Sequence, residues 1–160
     1  MLGIKLICIG KMKEKYYMDA VAEYTKRLRV YCKFELVELP EYRLSDHPSD
    51  KEIEAALEKE AYEIEKQIPQ GAAVIALCIE GRKKSSVELA KMMEQWAATG
   101  KSRLCFLIGG SFGMHASIKQ RADLQLSMSD MTFPHHLARV MLVEQIYRGF
   151  TICEGTRYHK

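Results

Sequence analysis

The sequence predicts an α/β domain with a mostly parallel sheet and helices on both of its faces. Two segments, 73–79 and 104–108, are nearly continuous apolar runs of strand length, which is typical of strands buried on both faces of a parallel sheet. Strand-like and helix-like segments alternate along the chain, as expected of βα units. With 160 residues the chain can enclose one sizeable core, so residues 1–160 are predicted to form a single domain.

The first half of the chain alternates twice between strand and helix. Residues 4–9 are apolar or β-branched and end at Gly10, which predicts a buried strand followed by a turn. Apolar side chains recur at helical spacing among charges over 13–30, which predicts an amphipathic helix. A second strand is predicted over 34–39, and a polar loop then leads to an acidic helix over 51–67.

The second half continues the same alternation. After the strand over 73–79, Ser85-Ser86-Val87-Glu88 forms a capping box that predicts a helix from there to about Ala98. Pro134 suits the first turn of the final helix. The remaining predicted elements are a strand over 103–108, a short helix over 115–121, a strand near 123–128 and a long helix over 135–148.

The formal net charge of +3 hides an uneven distribution. Residues 11–33 hold seven Lys and Arg against three acidic residues, whereas residues 41–66 hold four against nine. A separation of this kind indicates one face suited to a polyanion, although a merely solvated surface explains it as well.

The segments that would place the chain in a membrane or outside the cell are not found in the sequence. The longest apolar runs are far shorter than the roughly 20 residues that cross a bilayer, and the amino end lacks the charge order of a secretion signal. The five cysteines are an odd number with no Cys-x-x-Cys pair, which favours reduced thiols. A soluble cytoplasmic protein is therefore expected. No His, Cys, Asp or Glu group has metal-ligand spacing, so no metal is expected.

Two loops that follow predicted strands have features of a ligand site. Gly109-Gly110-Ser111-Phe112-Gly113 permits close approach of a ligand to the backbone at the strand end where open α/β sheets bind cofactors. Its spacing is neither Gly-x-Gly-x-x-Gly nor a Walker motif, so neither a dinucleotide nor a triphosphate is supported. The hydroxyl-rich loop over 126–136 offers backbone groups and apolar walls that suit an adenine. Either loop alone is explained as well by a capped turn, but the pair favours a site.

The predicted final helix is apolar on nearly every face, so we expect it to be buried in the domain or in an interface. Glu144 and Arg148 are four residues apart and can simply pair with each other. Arg139 lies within an apolar stretch and requires a partner or a function.

Seven short motifs follow one another along the chain. They are Gly10-Lys11-Met12-Lys13-Glu14-Lys15-Tyr16, Ile108-Gly109-Gly110-Ser111-Phe112-Gly113, Ser127-Met128-Ser129, Met131-Thr132-Phe133-Pro134-His135, Arg139-Val140, Glu144-Gln145-Ile146-Tyr147-Arg148 and Tyr158-His159. In their order and spacing these motifs resemble the RlmH family of SPOUT-class methyltransferases, which methylate a ribosomal RNA pseudouridine at ring nitrogen N3. The resemblance covers the whole chain.

The resemblance implies a fold and a cofactor. SPOUT domains tie their carboxyl-terminal part into a deep trefoil knot, here residues 73–160, although true knots are almost absent from proteins in general. The knotted loops form the pocket for S-adenosylmethionine. By the resemblance, the cofactor-binding residues are Leu77, Gly109, Met128, Ser129, Asp130, Met131, Thr132 and Phe133.

The resemblance also implies partners. Family members are homodimers in which the final helix packs across the interface and the tail reaches the partner's cofactor pocket. Their substrate is large-subunit ribosomal RNA in the assembled ribosome, which a basic face would contact. Candidates for phosphate contacts are Lys11, Lys13, Lys15, Lys26, Arg27 and Arg29.

The expected reaction transfers a methyl group to an imide nitrogen that must lose its proton. If the pKa of the imide lies about two units above neutrality, deprotonation costs about 3 kcal/mol, which electrostatics or a basic side chain can supply. We hypothesise that the acceptor side comprises Arg139, Arg157, Tyr158 and His159.

Three other functions are compatible with parts of the sequence. A non-catalytic ribosome-binding module would use the same basic face without S-adenosylmethionine. A SPOUT methyltransferase could act on transfer RNA instead. A flavodoxin-like nucleotide binder would share the alternation of elements but needs a phosphate loop after the first strand, and Gly10-Lys11-Met12-Lys13 is a poor one.

Overall fold

The computed structural model describes residues 1–160 and consists of a five-stranded sheet between two layers of helices. The strand order is β2-β1-β4-β3-β5, and all neighbouring strands are parallel. None of the helices is long and apolar enough to cross a bilayer. In chain order the elements are β1 (Gly3–Ile9), α1 (Lys15–Leu28), β2 (Lys33–Leu39), α2 (Asp50–Gln67), β3 (Ala73–Lys83), α3 (Ser86–Ala98), β4 (Arg103–Ile108), α4 (Ala116–Arg121), β5 (Leu124–Ser127) and α5 (His135–Cys153).

The structure confirms the predicted class and the order of the elements, with differences at their ends. Strand β3 runs on to Lys83, four residues beyond the apolar run, and α5 runs on to Cys153. Pro134 is the residue before α5 and not part of its first turn. The predicted capping box is present, because Ser85 Oγ accepts the Glu88 N–H and the Glu88 carboxylate accepts the Ser85 N–H.

The core lies on both faces of the sheet, because alternate residues of each strand point to opposite faces. Helices α1, α3 and α5 cover one face, where the cluster includes Leu6, Phe106 and Leu142. Helices α2 and α4 cover the other face around residues such as Ile7 and Leu107. The predicted arrangement of helices on both faces is confirmed.

Strand β3 pairs with β5 in an irregular register. Leu126 of β5 pairs with Leu77 and again with Arg82, with four residues of β3 between them. Within this stretch, a Cβ atom added to Gly81 would lie 2.7 Å from the carbonyl carbon and oxygen of Gln125, so the two strands make a close crossing there. This close crossing lies within the segment 73–160 to which the resemblance assigns a knot. The knot itself stays a prediction.

All five cysteines are free thiols, as expected for reduced side chains. Burial raises the pKa of Cys8, Cys32 and Cys105 to about 12 and that of Cys78 to about 11. These four behave as small apolar core residues. Only Cys153 is exposed.

Candidate active site

A cleft of about 850 Å³ opens at the carboxyl ends of β3, β4 and β5. Its walls are residues 77–80 of β3, the end of β4 with the loop after it (108–114), and the end of β5 with the loop after it (126–129 and 131–135). This volume lies within the range of small-molecule sites, and the carboxyl ends of parallel strands are the usual position for them. The two loops identified from the sequence therefore meet in one cleft.

Seven of the eight predicted cofactor residues line this cleft. They are Leu77, Gly109, Met128, Ser129, Met131, Thr132 and Phe133. The eighth, Asp130, points outward, and its carboxylate forms a 2.7 Å ion pair with Lys83 Nζ. Any contact of Asp130 with the cofactor would therefore involve its backbone in this conformation.

The glycine loop after β4 is shaped by close backbone contacts. A Cβ atom on Gly109 would lie 2.3 Å from the carbonyl oxygen of Gly113, so no other residue fits there without a shift. The Gly113 N–H donates to the Gly110 carbonyl at 3.0 Å, and Gly113 has a φ of +79°, which favours glycine. The resulting turn places Ser111 and Phe112 at its corner.

Glu41, which follows β2, supports this turn from outside the cleft. Its Oε1 accepts the Ser111 N–H at 3.0 Å and would lie only 2.8 Å from a Cβ atom on Gly110. The Tyr42 N–H in turn donates to Glu60, which is only 7% exposed on α2. Glu41 has no local sequence signature of this role, because its partner is 70 residues away.

The loop after β5 is held by its own hydroxyl groups. Ser127 Oγ donates to the Ser129 carbonyl at 3.0 Å, and Ser129 Oγ accepts the Met131 N–H at 3.1 Å. These bonds use the side chains internally and leave other backbone groups of the loop facing the cleft. At its far end, His135 lines the cleft, and burial together with the neighbouring His136 lowers its pKa, which favours the neutral imidazole.

A second, smaller cleft of about 450 Å³ lies beside the first. Tyr24, the start of α3 and the middle of α5 line it. The two clefts share Leu126, Ser127 and Met128 as a common wall. Glu144 of α5 opens into this second cleft.

Glu144 is the centre of a polar cluster that includes the carboxyl-terminal tail. Its Oε1 accepts bonds from Arg148 Nη2 at 2.7 Å, Arg148 Nε at 2.9 Å and Tyr158 Oη at 3.0 Å. Arg148 Nη1 lies 3.1 Å from His159 Nδ1, and the guanidinium lies 4.8 Å from the centre of the Tyr158 ring. The predicted pairing of Glu144 with Arg148 is confirmed, and two predicted catalytic residues, Tyr158 and His159, join it.

Arg139 lies apart from this cluster. Its side chain is completely buried, with Nη1 2.6 Å from Glu38 Oε2 and Nη2 3.0 Å from the Gly10 carbonyl oxygen. Glu38 also accepts the Met12 N–H at 2.8 Å. Arg139 thus joins α5 to the ends of β1 and β2, a structural arrangement that the sequence did not reveal.

The predicted acceptor group is therefore only partly assembled in one chain. Tyr158 and His159 contact Arg148, whereas Arg139 contacts neither, and Arg157 is exposed. Arg148 was missed as a site candidate because its spacing from Glu144 is explained equally well by a simple helix ion pair. The tail, expected to reach a partner subunit, packs here on its own α5 through the edge contact of Tyr158 with Tyr147.

The predicted basic residues form two groups at opposite ends of α1. Lys11, Lys13 and Lys15 are exposed near the carboxyl ends of the strands. Lys26, Arg27 and Arg29 lie at the other end of a 14-residue helix, about 20 Å away. Only the first group lies in the loops beside the cofactor cleft.

Comparison with known proteins identifies the family. The family model described as "Predicted SPOUT methyltransferase" matches residues 2–159. The chain belongs to the SPOUT methyltransferase family. SPOUT methyltransferases use S-adenosylmethionine as the methyl donor.

A relative with an assigned activity is similar along the whole chain. Ribosomal RNA large subunit methyltransferase H of Bacillus pumilus (strain SAFR-032) is 46% identical over 159 residues, which are 99% of this chain and 100% of that protein. This similarity confirms the resemblance to the RlmH family drawn from the motifs.

Two solved structures share the fold at low sequence identity. A probable methylase family protein from Haemophilus influenzae Rd KW20 is 14% identical with a TM-score of 0.56, covering 100% of this chain and 72% of that chain. The tRNA (m1G37) methyltransferase from Aquifex aeolicus is 15% identical with a TM-score of 0.54, covering 91% and 69%. Both confirm the SPOUT fold class.

The residues of the larger cleft fit S-adenosylmethionine. Leu77, Ile108 and Met128 provide apolar surface for an adenine ring, and the neighbouring loop backbones provide donors and acceptors for its edge. Gly109 and Gly110 leave the loop backbone uncovered, so a ligand can approach it closely.

Proposed function

We propose that the protein methylates N3 of a pseudouridine in large-subunit ribosomal RNA, acting on the assembled ribosome in the cytoplasm. The observation that carries this proposal is the 46% identity, over the full length of both chains, to a ribosomal RNA large subunit methyltransferase. The two adjoining clefts support it, because methyl transfer requires a donor site and an acceptor site that touch.

The donor site is the cleft at the ends of β3, β4 and β5. Leu77, Gly109, Met128, Ser129, Asp130, Met131, Thr132 and Phe133 would hold S-adenosylmethionine there. When bound, this cofactor supplies a methyl group on a positively charged sulfur. The task of the loops is to hold that group in line with the attacking nitrogen at near-contact distance.

The acceptor site is the smaller cleft with the cluster of Glu144, Arg148, Tyr158 and His159. Ion pairing with Glu144 raises the pKa of Arg148, so its guanidinium stays charged and can stabilise the anion left when the imide nitrogen loses its proton. Burial raises the pKa of Tyr158, and hydrogen bonds with Tyr24 and Glu144 raise that pKa further. The phenol therefore stays protonated and can donate a hydrogen bond. His159, whose Nδ1 lies 3.1 Å from Arg148 Nη1, is the residue of this cluster that we assign as the general base.

This assignment replaces Arg139 with Arg148 as the arginine that acts on the acceptor. Arg139 has no exposed surface, and its guanidinium is engaged with Glu38 and Gly10. Its contribution to the reaction is to position α5. Arg157, exposed beside Tyr158, remains a candidate for contact with the RNA backbone.

We further propose that the active form is a homodimer. Six residues of the 19-residue α5 are buried, and several large apolar residues of the same helix are only partly covered by this chain. A second copy would complete their burial. These partly covered residues are Leu137, Val140, Met141, Tyr147 and Phe150.

The loops around the donor cleft supply positive charge for RNA. Lys11, Lys13 and Lys15 are exposed there, whereas Lys26, Arg27 and Arg29 are about 20 Å away along α1. Each phosphate contact contributes to the salt dependence of binding. We expect alanine substitutions in the first group to weaken ribosome binding more than alanine substitutions in the second group.

The test is transfer of tritium from labelled S-adenosylmethionine to substrates from a strain that lacks this protein. Whole ribosomes, separated subunits and bulk transfer RNA are compared, and labelled nucleosides are identified by mass spectrometry. We expect N3-methylpseudouridine in large-subunit RNA from whole ribosomes only. Label confined to transfer RNA would overturn the substrate, and cofactor-competent protein that labels nothing would indicate a ribosome-binding module instead.

A paired substitution tests the acceptor site. Arg148→Lys keeps the charge but loses the forked geometry, so we expect a fall in turnover of about 10- to 100-fold with unchanged affinity for S-adenosylmethionine. Lys51→Ala, at an exposed position of α2 that lines neither cleft, is the control. Equal turnover in both variants would contradict the role of Arg148.

A further inference from the structure

Three large apolar side chains are exposed together at the mouth of the donor cleft. Ile79 is 68% exposed, Phe112 49% and Met131 73%. Ile79 lies in the second half of β3, and the other two lie in the loops after β4 and β5. Only seven large apolar side chains of the whole chain are at least 49% exposed, so three on one rim form a cluster. Such a cluster on a folded surface indicates a binding partner.

Phe112 is the one aromatic member, and its support is rigid. It occupies the corner of the turn closed by the Gly113 N–H on the Gly110 carbonyl and braced by Glu41 on the Ser111 N–H. A side chain on a braced turn loses little further freedom on binding. The ring is therefore presented to solvent at a fixed position and not left on a mobile loop.

The loop beside the glycine turn carries two exposed lysines. Strand β1 is the neighbour of β4, with Cys8 paired to Ile108, so the loop carrying Lys11 and Lys13 begins beside the glycine turn. Glu41 spans the two loops, since it binds Ser111 and lies 3.8 Å from a Cβ atom on Gly10. An exposed ring bordered by lysines is the combination with which proteins bind unpaired nucleotides.

We propose that Phe112 stacks on an unpaired base of the substrate RNA, beside the nucleotide that is methylated, with the adjoining phosphates on Lys11 and Lys13. This proposal rests on the proposed function and specifies how its RNA is recognised. A base taken out of its stack needs a new surface for its flat face, and a ring at the cleft mouth provides one. The lysines favour RNA over a protein partner by charge.

The test compares Phe112→Ala, Phe112→Leu and Phe112→Tyr, with Tyr62→Ala as the control. Tyr62 is 66% exposed on α2 and lines neither cleft. At saturating S-adenosylmethionine we expect Phe112→Ala to raise the KM for ribosomes about 5- to 150-fold, the range for loss of one stacked base. Leucine should rescue little, tyrosine should restore nearly all, and Tyr62→Ala should behave as wild type.

Calorimetry on the free protein separates stacking on RNA from contact with the cofactor. We expect all variants to bind S-adenosylmethionine within about twofold of wild type. Weaker cofactor binding by Phe112→Ala with an unchanged KM for ribosomes would assign the ring to the cofactor and overturn the proposal. Full rescue by leucine would also overturn it, because an aliphatic side chain provides burial without an aromatic face.

A binding experiment without methyl transfer distinguishes failure of this proposal from failure of the proposed function. Fluorescence anisotropy is measured with a labelled 12-nucleotide uridine-rich RNA, single-stranded or annealed to its complement. We expect wild type to prefer the single strand and Phe112→Ala to lose that preference. If ribosomes are not methylated but the preference for single-stranded RNA depends on Phe112, the stacking proposal is supported and the substrate assignment is wrong. Wild-type protein without the preference overturns stacking.

Discussion

Replacing Gly81 with alanine tests the close crossing of β3 over β5. The added Cβ atom would lie 2.7 Å from the carbonyl carbon and oxygen of Gln125 and 2.9 Å from the carbonyl carbon of Leu126. The shortest of these is about 0.7 Å inside the 3.4 Å at which ordinary contact begins. All three atoms belong to the backbone of a paired strand, so no side chain can rotate away to relieve the contact.

The expected loss of stability follows from this geometry. Overpacking costs about 1–3 kcal/mol in typical cores, and immobile neighbours place Gly81→Ala near 3 kcal/mol. For a chain of this size, that corresponds to a fall in Tm of about 6–12 °C. Because β5 leads into the wall shared by both clefts, affinity for S-adenosylmethionine should fall as well.

Gly3→Ala is the matched control for this substitution. Gly3 also lies in a strand, but its added Cβ atom would meet Arg103 Cγ at 3.5 Å and the Ser102 carbonyl oxygen at 3.7 Å, both ordinary contacts. Its stability should be unchanged or raised by up to about 1 kcal/mol, because the unfolded chain loses freedom. Calorimetric Tm values are measured for both variants with and without cofactor. Equal Tm values would refute the interpretation of the crossing as closely packed.

Four other experiments test further contacts of the same structure. Arg139→Met should lower the free energy of unfolding, measured with denaturant, by about 2–4 kcal/mol, because it breaks a buried ion pair. Arg148→Met should lower turnover, measured by tritium transfer, more than it lowers stability. Burial raises the pKa of Glu60, so ionisation opposes folding increasingly as pH rises through that pKa. Glu60→Gln should therefore unfold at a higher Tm than wild type at pH 7 and at an equal Tm below about pH 4. A thiol reagent at pH 8 should modify only Cys153 rapidly in native protein, and a second fast equivalent would contradict the burial of the others. Glu41→Ala should weaken cofactor binding in calorimetry, whereas Glu41→Gln, which keeps an acceptor oxygen, should retain it.

Local patterns in the sequence were sufficient to predict most of the helices and strands. The apolar runs at 73–79 and 104–108 predicted buried strands of a two-sided sheet, and the box at Ser85 and Glu88 defined a helix start by chemistry confined to four residues. The polar end of β3 was missed because Glu80-Gly81-Arg82-Lys83 has no strand pattern. Its extended conformation depends on pairing with β5, more than 40 residues later.

The same contrast between local and distant contacts determined which residues of the candidate site could be predicted from the sequence. The two loops that meet in the larger cleft were predictable because each carries its own glycines or hydroxyl groups, and the resemblance assigned a common ligand to them. The role of Arg139 was not predictable, since Glu38 lies 101 residues away and no local pattern links the two. Within an apolar helix, a buried structural arginine and a catalytic arginine have the same sequence signature, and only the tertiary contacts distinguish them.

Helix α5 connects all parts of the proposed site, and this explains why a buried arginine in it matters for catalysis. His135 and Ala138 face the donor cleft, Arg139 holds the ends of β1 and β2, and Glu144 opens into the acceptor cleft. Ala138 and Glu144 are about 9 Å apart along the helix axis. A rotation or slide of α5 would therefore move the donor wall and the acceptor cluster together. The pairing of Arg139 with Glu38 restrains that rotation, so we expect Arg139 to influence methyl transfer by setting where Glu144 and Arg148 stand relative to the donor cleft.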